Sequence, residues 1–227
     1  MQFSPSLMCM DFLKIQEQAE ALNSLCDRYH LDIMDGHFVP NLTLSPDFVA
    51  AFSRVAKKPI DCHLMVTNPQ QYLLPLKEAG ATRISPQAEV IAKDAFRLFD
   101  QIEALGMETG ITICPSTPLD AIEYYLPRLN AVTVMTVDPG FAGQAFIEEM
   151  LPKISMLQKL KEQTGYDFQI EVDGSCNAHT FRALADAGAE VLVVGTSGLF
   201  SLDADVKMAY EKMLEQFREA TKLPERS

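Results

Sequence analysis

Two histidines and two aspartates stand where a parallel-strand fold would bring them together. In Tyr-His-Leu-Asp-Ile-Met (29–34), His30 and Asp32 lie two residues apart and share one face of an extended strand, with Leu31 and Ile33 on the other. His63 falls near the end of Ile-Asp-Cys-His-Leu-Met (60–65), and Asp173 closes Gln-Ile-Glu-Val-Asp (169–173). Two imidazoles and two carboxylates at one mouth are a four-ligand set for a divalent cation. Separate polar residues, each satisfied by local hydrogen bonds, are the competing reading. Asp61 and Glu171 are assigned to the outer, helix-facing side of their strands, and Asp35, before Gly36, to a turn.

Glycine-rich turns supply candidates for holding an anion. Asp-Gly-Ser (173–175) and Gly-Thr-Ser-Gly (195–198) each follow an apolar strand and suit a phosphate, because their backbone N–H groups can point inward. Asp-Pro-Gly-Phe-Ala-Gly-Gln (138–144) is glycine-rich enough to hinge as a lid, or to be a plain connector. Met8, Met34, Met65 and Met135 fall at strand ends, either as flexible packing or as an apolar wall around a polar centre.

The elements that must carry these residues alternate regularly. Strands are expected at 2–7, 29–34, 59–65, 82–85, 107–113, 131–137, 168–172 and 190–194. Helices are expected at 11–25, 46–56, 69–79, 91–105, 118–126, 147–164, 177–187 and 203–219. Pro46, Pro69 and Pro118 mark first helical turns, with Asn68 or Thr117 as N-caps, and Gly80 and Gly188 end helices. Eight β-then-α units without a linker predict an α/β fold, a single-domain (β/α)8 TIM barrel over residues 1–220, with 221–227 a frayed tail. The fourth strand is the weakest, since Pro86 and Gln87 interrupt its apolar pattern. In such barrels the working residues sit at the C-terminal ends of strands, and phosphate binds after strands seven and eight.

Composition narrows the function. The 227 residues are 48% hydrophobic, enough for one sizeable core, and the net charge of −12 disfavours nucleic acid or an anionic membrane as partner. The cysteine number, five, is odd and includes no C-x-x-C pair, which suits reduced thiols in the cytoplasm.

Several segments together resemble the ribulose-phosphate 3-epimerase family: Ser-Pro-Ser-Leu (4–7), His-Leu-Asp-Ile-Met-Asp-Gly-His-Phe-Val-Pro-Asn (30–41), Cys-His-Leu-Met-Val (62–66), Val-Met-Thr-Val-Asp-Pro-Gly-Phe-Ala-Gly-Gln (134–144) and Glu-Val-Asp-Gly-Ser (171–175). The resemblance runs from Phe3 to about Phe200. It implies that His30, Asp32, His63 and Asp173 hold one divalent metal ion per subunit, as Zn²⁺, Mn²⁺, Fe²⁺ or Co²⁺, and that Asp32 and Asp173 are also the acid/base pair. It further implies that Ser6 and His63 touch a ketose phosphate, with Gly140, Phe141, Ala142, Gly143, Gly174, Ser175, Gly195, Thr196 and Ser197 around it. A homo-oligomer is expected on the same ground. One departure stands out: Gln87 occupies a position where relatives usually have His, which puts hydrogen bonding behind the site in question.

The implied reaction is inversion at C3 of a 2-ketose phosphate. Removing the proton α to the carbonyl gives an enediolate whose charge a divalent cation would stabilise, and inversion needs an acid and a base on opposite faces. Segments 6–11, 136–144 and 195–200 look most like members acting on D-allulose 6-phosphate, giving D-fructose 6-phosphate; D-ribulose 5-phosphate is the alternative substrate. A metal-dependent aldolase or hydrolase on the same barrel, and a non-catalytic sugar-phosphate sensor, are the competing classes.

Overall fold

The computed structural model describes residues 1–222. Eight parallel strands form its centre: β1 (Gln2–Pro5), β2 (Tyr29–Asp35), β4 (Ile60–Met65), β5 (Arg83–Pro86), β6 (Glu108–Ile113), β7 (Ala131–Met135), β8 (Gln169–Asp173) and β9 (Val191–Val194). A two-residue strand, β3 (Leu42–Thr43), pairs antiparallel with the end of β2. The sheet runs β1-β9-β8-β7-β6-β5-β4-β2-β3, and a parallel bridge between Ser6 and His30 joins its two ends. The result is a closed (β/α)8 barrel. Register then places Asp32 beside His63, His63 beside Ser85, and Asp173 beside Met135 and Val193.

Alternation along each strand sorts the side chains into two populations. Leu31, Ile33, Cys62, Leu64, Val132, Val134, Ile170, Val172, Leu192 and Val194 join one apolar cluster between barrel and helices. The other parity is polar: Ser4, His30, Asp32, Asp61, His63, Arg83, Ser85, Thr133 and Glu171 are all buried. Barrel interiors are usually filled by branched apolar residues. This one is polar, which corrects the placement of Asp61 and Glu171. They lie two residues before His63 and Asp173, share their parity, and point inward, 1% and 0% exposed.

The helices are α1 (Ile15–Leu22), α2 (Pro46–Phe52), α3 (Gln70–Ala79), α4 (Ala88–Ile91), α5 (Ala95–Ala104), α6 (Met150–Thr164), α7 (Phe181–Ala187) and α8 (Val206–Thr221). Ser45 caps α2 by accepting from the Phe48 N–H, with Pro46 in the first turn. Gly80 and Gly188 end α3 and α7 in the left-handed conformation, as their sequence context predicts. Other expectations are corrected. Neither Asn68 nor Thr117 is an N-cap: Pro69 precedes α3, and Pro118 precedes a 3-10 turn. The segment 118–126 is two 3-10 stretches rather than an α-helix, the second carrying Pro127, whose missing N–H favours short irregular turns. The expected helix over 91–105 is shorter, α5 over Ala95–Ala104, and the separate turn α4 ends at Ile91. β5 reaches Pro86, and Gln87 adds a bridge to Thr112. α8 continues through Thr221, and residues 223–227, the rest of the expected frayed tail, lie outside the described residues.

All five cysteines are free. Among the described residues no helix is long and apolar enough to cross a membrane.

Candidate active site

The inward parity of β2, β4 and β8 delivers four donor atoms to one point at the C-terminal mouth. His30 Nε2 lies 3.3 Å from Asp32 Oδ1 and 3.6 Å from Asp173 Oδ2. His63 Nδ1 lies 3.3 Å and 3.7 Å from the same two oxygens. Four ligands about 2.1 Å from one tetrahedral ion stand about 3.4 Å apart, so the separations fit a single divalent cation. The two histidines are wholly buried, while Asp173 keeps 16% of its side chain exposed. Neither ring nitrogen of His30 has a hydrogen-bond partner, and Nε2 is buried and aimed between the carboxylates. A buried orphan nitrogen is costly in isolation but suits a ligand position. His30, Asp32, His63 and Asp173 therefore fit a metal ion by spacing, donor type and satisfaction.

Asp32 and His63 are held from behind. Ser6 Oγ donates to Asp32 Oδ2 at 2.7 Å, leaving Oδ1 toward the histidines, and the Thr43 hydroxyl donates to the Asp32 carbonyl. Gln87, fully buried, settles the question raised by its departure from the family pattern. In the amide orientation that satisfies all its neighbours, its oxygen accepts from His63 Nε2 at 2.9 Å, and its nitrogen donates to Glu89 Oε2 at 2.8 Å and the Thr112 carbonyl at 3.2 Å. A proton on Nε2 leaves the Nδ1 lone pair facing the carboxylates. On the far side of His30, Nδ1 lies 3.5 Å from Asp61 Oδ2 and 3.7 Å from Glu171 Oε1.

Electrostatics follow this packing. Burial opposes charge on Asp32, but the adjoining His30 and His63 imidazoles hold its carboxyl below the usual carboxylate range. Burial likewise opposes charge on His30, and Asp32, with help from Asp173 and Asp61, outweighs it and raises the imidazole well above its ordinary value. The cluster strongly favours positive charge at its centre. Asp35 is the last residue of β2 rather than a turn residue, and its side chain caps the turn that follows, Oδ1 accepting from the His37 and Phe38 N–H groups and Oδ2 from Thr67.

Above the cluster a cleft opens to solvent. Its wall includes Ser6, Asp32, Asp173, Gly140, Phe141, Ala142, Gly143, Gly174, Ser175, Gly195, Thr196 and Ser197, so the sequence candidates for substrate contact converge there. His63 is the exception. It is fully buried beneath the wall, behind Asp32, and is not among the residues lining the cleft. Met8, Met34, Met65 and Met135 line the same wall, and Met34, Met65 and Val39 pack as a small cluster against Met8 and Phe38. The methionine stripe thus both packs and faces the cleft. The segment 138–144 is irregular, with Phe141 half exposed, and Asn41 Nδ2 donates to the Gly140 carbonyl at 2.7 Å. Ser175 takes a left-handed φ of 52° and donates through Oγ to the Gln144 carbonyl, tying the turn after β8 to that segment. The 195–198 turn opens a π-helical stretch, Thr196–Phe200, unforeseen in the sequence.

Sequence reasoning missed Asp61, Glu171 and Arg83. A strict period of two would have found the first pair. Nothing local marks Arg83 as an interior residue.

Comparison with known proteins places this site in context. Residues 2–200 match the model of the Ribulose-phosphate 3 epimerase family. A ribulose-phosphate 3-epimerase of Synechocystis sp. is 40% identical over 196 residues, covering 86% of this chain and 85% of the relative. One of Bacillus subtilis is 38% identical, with 86% and 90% covered. A cytoplasmic isoform from Oryza sativa subsp. japonica is 38% identical, with 86% of each covered. Among solved structures, 3-hexulose-6-phosphate synthase superposes with a TM-score of 0.70 at 13% identity, covering 98% of this chain and 100% of that one. A tryptophan synthase α-subunit of Pyrococcus furiosus gives 0.66 at 14% identity, covering 96% and 97%. These two likenesses concern the fold.

Proposed function

The chain belongs to the ribulose-phosphate 3-epimerase family and is an epimerase; from that premise we propose that it interconverts D-allulose 6-phosphate and D-fructose 6-phosphate by inverting C3. One observation carries the substrate choice. The three segments that look most like the allulose-phosphate members, 6–11, 136–144 and 195–200, are far apart in sequence. Each contributes to the same cleft wall, through Ser6, Met8 and Cys9, through Val137, Asp138 and residues 140–144, and through Gly195 to Ser197. A pocket extended by one CHOH unit between the reacting carbons and the phosphate would have to differ at those places. D-Ribulose 5-phosphate is the second reading, favoured by the names of the curated relatives.

The geometry supports the following division of labour. Asp32 and Asp173 come from β2 and β8, and both carboxylates reach the cleft. One takes the C3 proton and the other returns a proton to the opposite face; turnover in reverse exchanges their roles. Ser6 fixes which oxygen of Asp32 is free. His30 and His63 complete the cation site from below, and a divalent ion held by these four residues would supply positive charge to stabilise the enediolate. The turns at 174–175 and 195–197 hold the phosphate through backbone N–H groups, and 138–144 covers the sugar and excludes water. We place the reaction in the cytoplasm.

Measuring kcat/KM on both ketose phosphates tests the substrate. A difference of one carbon unit is worth about 10–200-fold, so residual pentulose activity is expected. A higher kcat/KM for D-ribulose 5-phosphate overturns the substrate while leaving the reaction intact. Exchange of the C3 proton for solvent deuterium, with intact ketose phosphate returned, tests the reaction itself.

A further inference from the structure

Beneath the cation site, the barrel floor holds three charged side chains away from solvent. Arg83 Nη2 donates to Asp61 Oδ2 at 2.6 Å and to Glu171 Oε2 at 2.7 Å. Ser85 Oγ donates to Asp61 Oδ1 at 2.8 Å, and Thr133 Oγ1 to Glu171 Oε1 at 3.1 Å. Arg83 is 1% exposed. The neighbouring Ser85 depends on a glycine: a Cβ on Gly110 would lie 2.1 Å from Ser85 Oγ. Both carboxylate contacts use one nitrogen, and Nε and Nη1 make no hydrogen bond. The guanidinium is therefore placed as a shared positive charge between two carboxylates, rather than as a fork gripping one of them.

The same two carboxylates face His30 Nδ1, at 3.5 and 3.7 Å. His30, Asp61 and Glu171 could by themselves form a three-donor cation site. The Arg83 guanidinium already bonds both carboxylates of that set. It leaves two negative charges and one positive charge on the floor, a net of one negative charge for His30 Nδ1–H to meet.

We propose that Arg83 is a positioning residue for the cation site: by cancelling one of two buried floor charges, it braces the His30 ring with Nδ1–H toward the floor and the Nε2 lone pair toward Asp32 and Asp173. The inference rests on the metal reading above and extends it from the ligands to the charge balance behind them. Carboxylates behind a ligating histidine set its orientation and basicity, and losing such support typically weakens metal binding about 10–100-fold. Here the support depends on a count of charges. Glu171→Gln leaves a neutral floor, Arg83→Met leaves two uncompensated carboxylates, and the double variant restores one net negative charge on Asp61.

The test is a double-variant cycle with Co²⁺, reading dissociation constants by chelator competition and ligand geometry by visible absorption, with thermal unfolding followed separately. Each single variant is expected to bind Co²⁺ about tenfold or more weakly, with an altered spectrum. The double variant is expected to return to within about threefold of the native protein, with its spectrum. Purely structural damage would instead accumulate in the double variant. Should Arg83→Met fail to fold, the comparison of Glu171→Gln with the double variant decides: tighter binding by the double is the expected result, and equal or weaker binding overturns the role of Arg83. Native affinity and spectrum in either single variant overturn it as well. Absence of Co²⁺ binding by the native protein would instead refute the metal reading.

Discussion

Replacing Gln87 with Leu separates support of His63 from ligation itself. Leu has nearly the volume of Gln but cannot accept the His63 Nε2–H, which now bonds at 2.9 Å in a site with no solvent access. Leaving that donor unpaired costs about 1–3 kcal/mol of folding stability. For a chain of this size each kcal/mol shifts Tm by roughly 2–4 °C, so a fall of about 2–12 °C is expected. The larger effect should be on the cation. Without the acceptor the imidazole can place its proton on Nδ1, where it cannot ligate, and affinity should fall about 10–100-fold. Chelator competition with Co²⁺ or Mn²⁺ measures this, and activity should return as the ion is raised to saturation. Gln87→His, which keeps an acceptor, should stay within a few-fold of native. A folded Gln87→Leu protein with native affinity would refute the claim that Gln87 sets the His63 tautomer.

Four further outcomes are expected. Asp32→Asn and Asp173→Asn should each abolish epimerisation, because each removes a carboxylate that exchanges a proton; near-native turnover by either with metal bound removes it from the pair. His30→Ala should lose metal before it loses fold, checked by metal content alongside circular dichroism. Gly143→Pro should slow turnover or raise KM with little change in Tm: Gly143 has φ +80°, which proline cannot adopt, but open space around it and an exposed position. Unchanged kinetics would make 138–144 a connector. Burial opposes charge on Asp35, but the Thr67, Phe38 and His37 N–H groups lower its pKa to about 2, below the unfolded value near 3.9. Its contribution is therefore present above pH ~4 and lost as pH falls toward 2. The stability gap between native and Asp35→Asn should close over that interval, and a gap independent of pH would refute the assignment.

Residue type and period carried most of this architecture into view. All eight barrel strands were legible because β-branched runs recur between helix-forming segments, and errors at their ends are one or two residues. The donor quartet was legible for the same reason, since His30 and Asp32 share a face and strand ends point to one mouth. Local chemistry failed where distant contacts decide. The 118–126 segment has a plausible helical pattern, but Pro118 precedes its first stretch and Pro127 lies in its second, and it forms 3-10 turns. Thr117 hydrogen-bonds Glu89 instead of capping a helix. The partner of Gln87 is likewise set by the β4–β5 neighbourhood, which no window around residue 87 contains.

Asp61 and Glu171 connect the fold to the chemistry most directly. Period two puts them in the barrel one layer below His63 and Asp173, and an unpaired carboxylate there would be prohibitively costly. Buried ion pairs are weak evidence for stability, because desolvation can exceed the Coulombic gain, and apolar residues of similar volume often serve as well. A charged floor is therefore poorly explained as a device for holding the barrel together. It is better explained by the layer above, where the proposed cation site needs the His30 imidazole held rigidly against two carboxylates. Preorganised charges of this kind need no rearrangement during reaction. Arg83 makes that arrangement possible in a dry interior: its guanidinium bonds both carboxylates, and the same two carboxylates face His30.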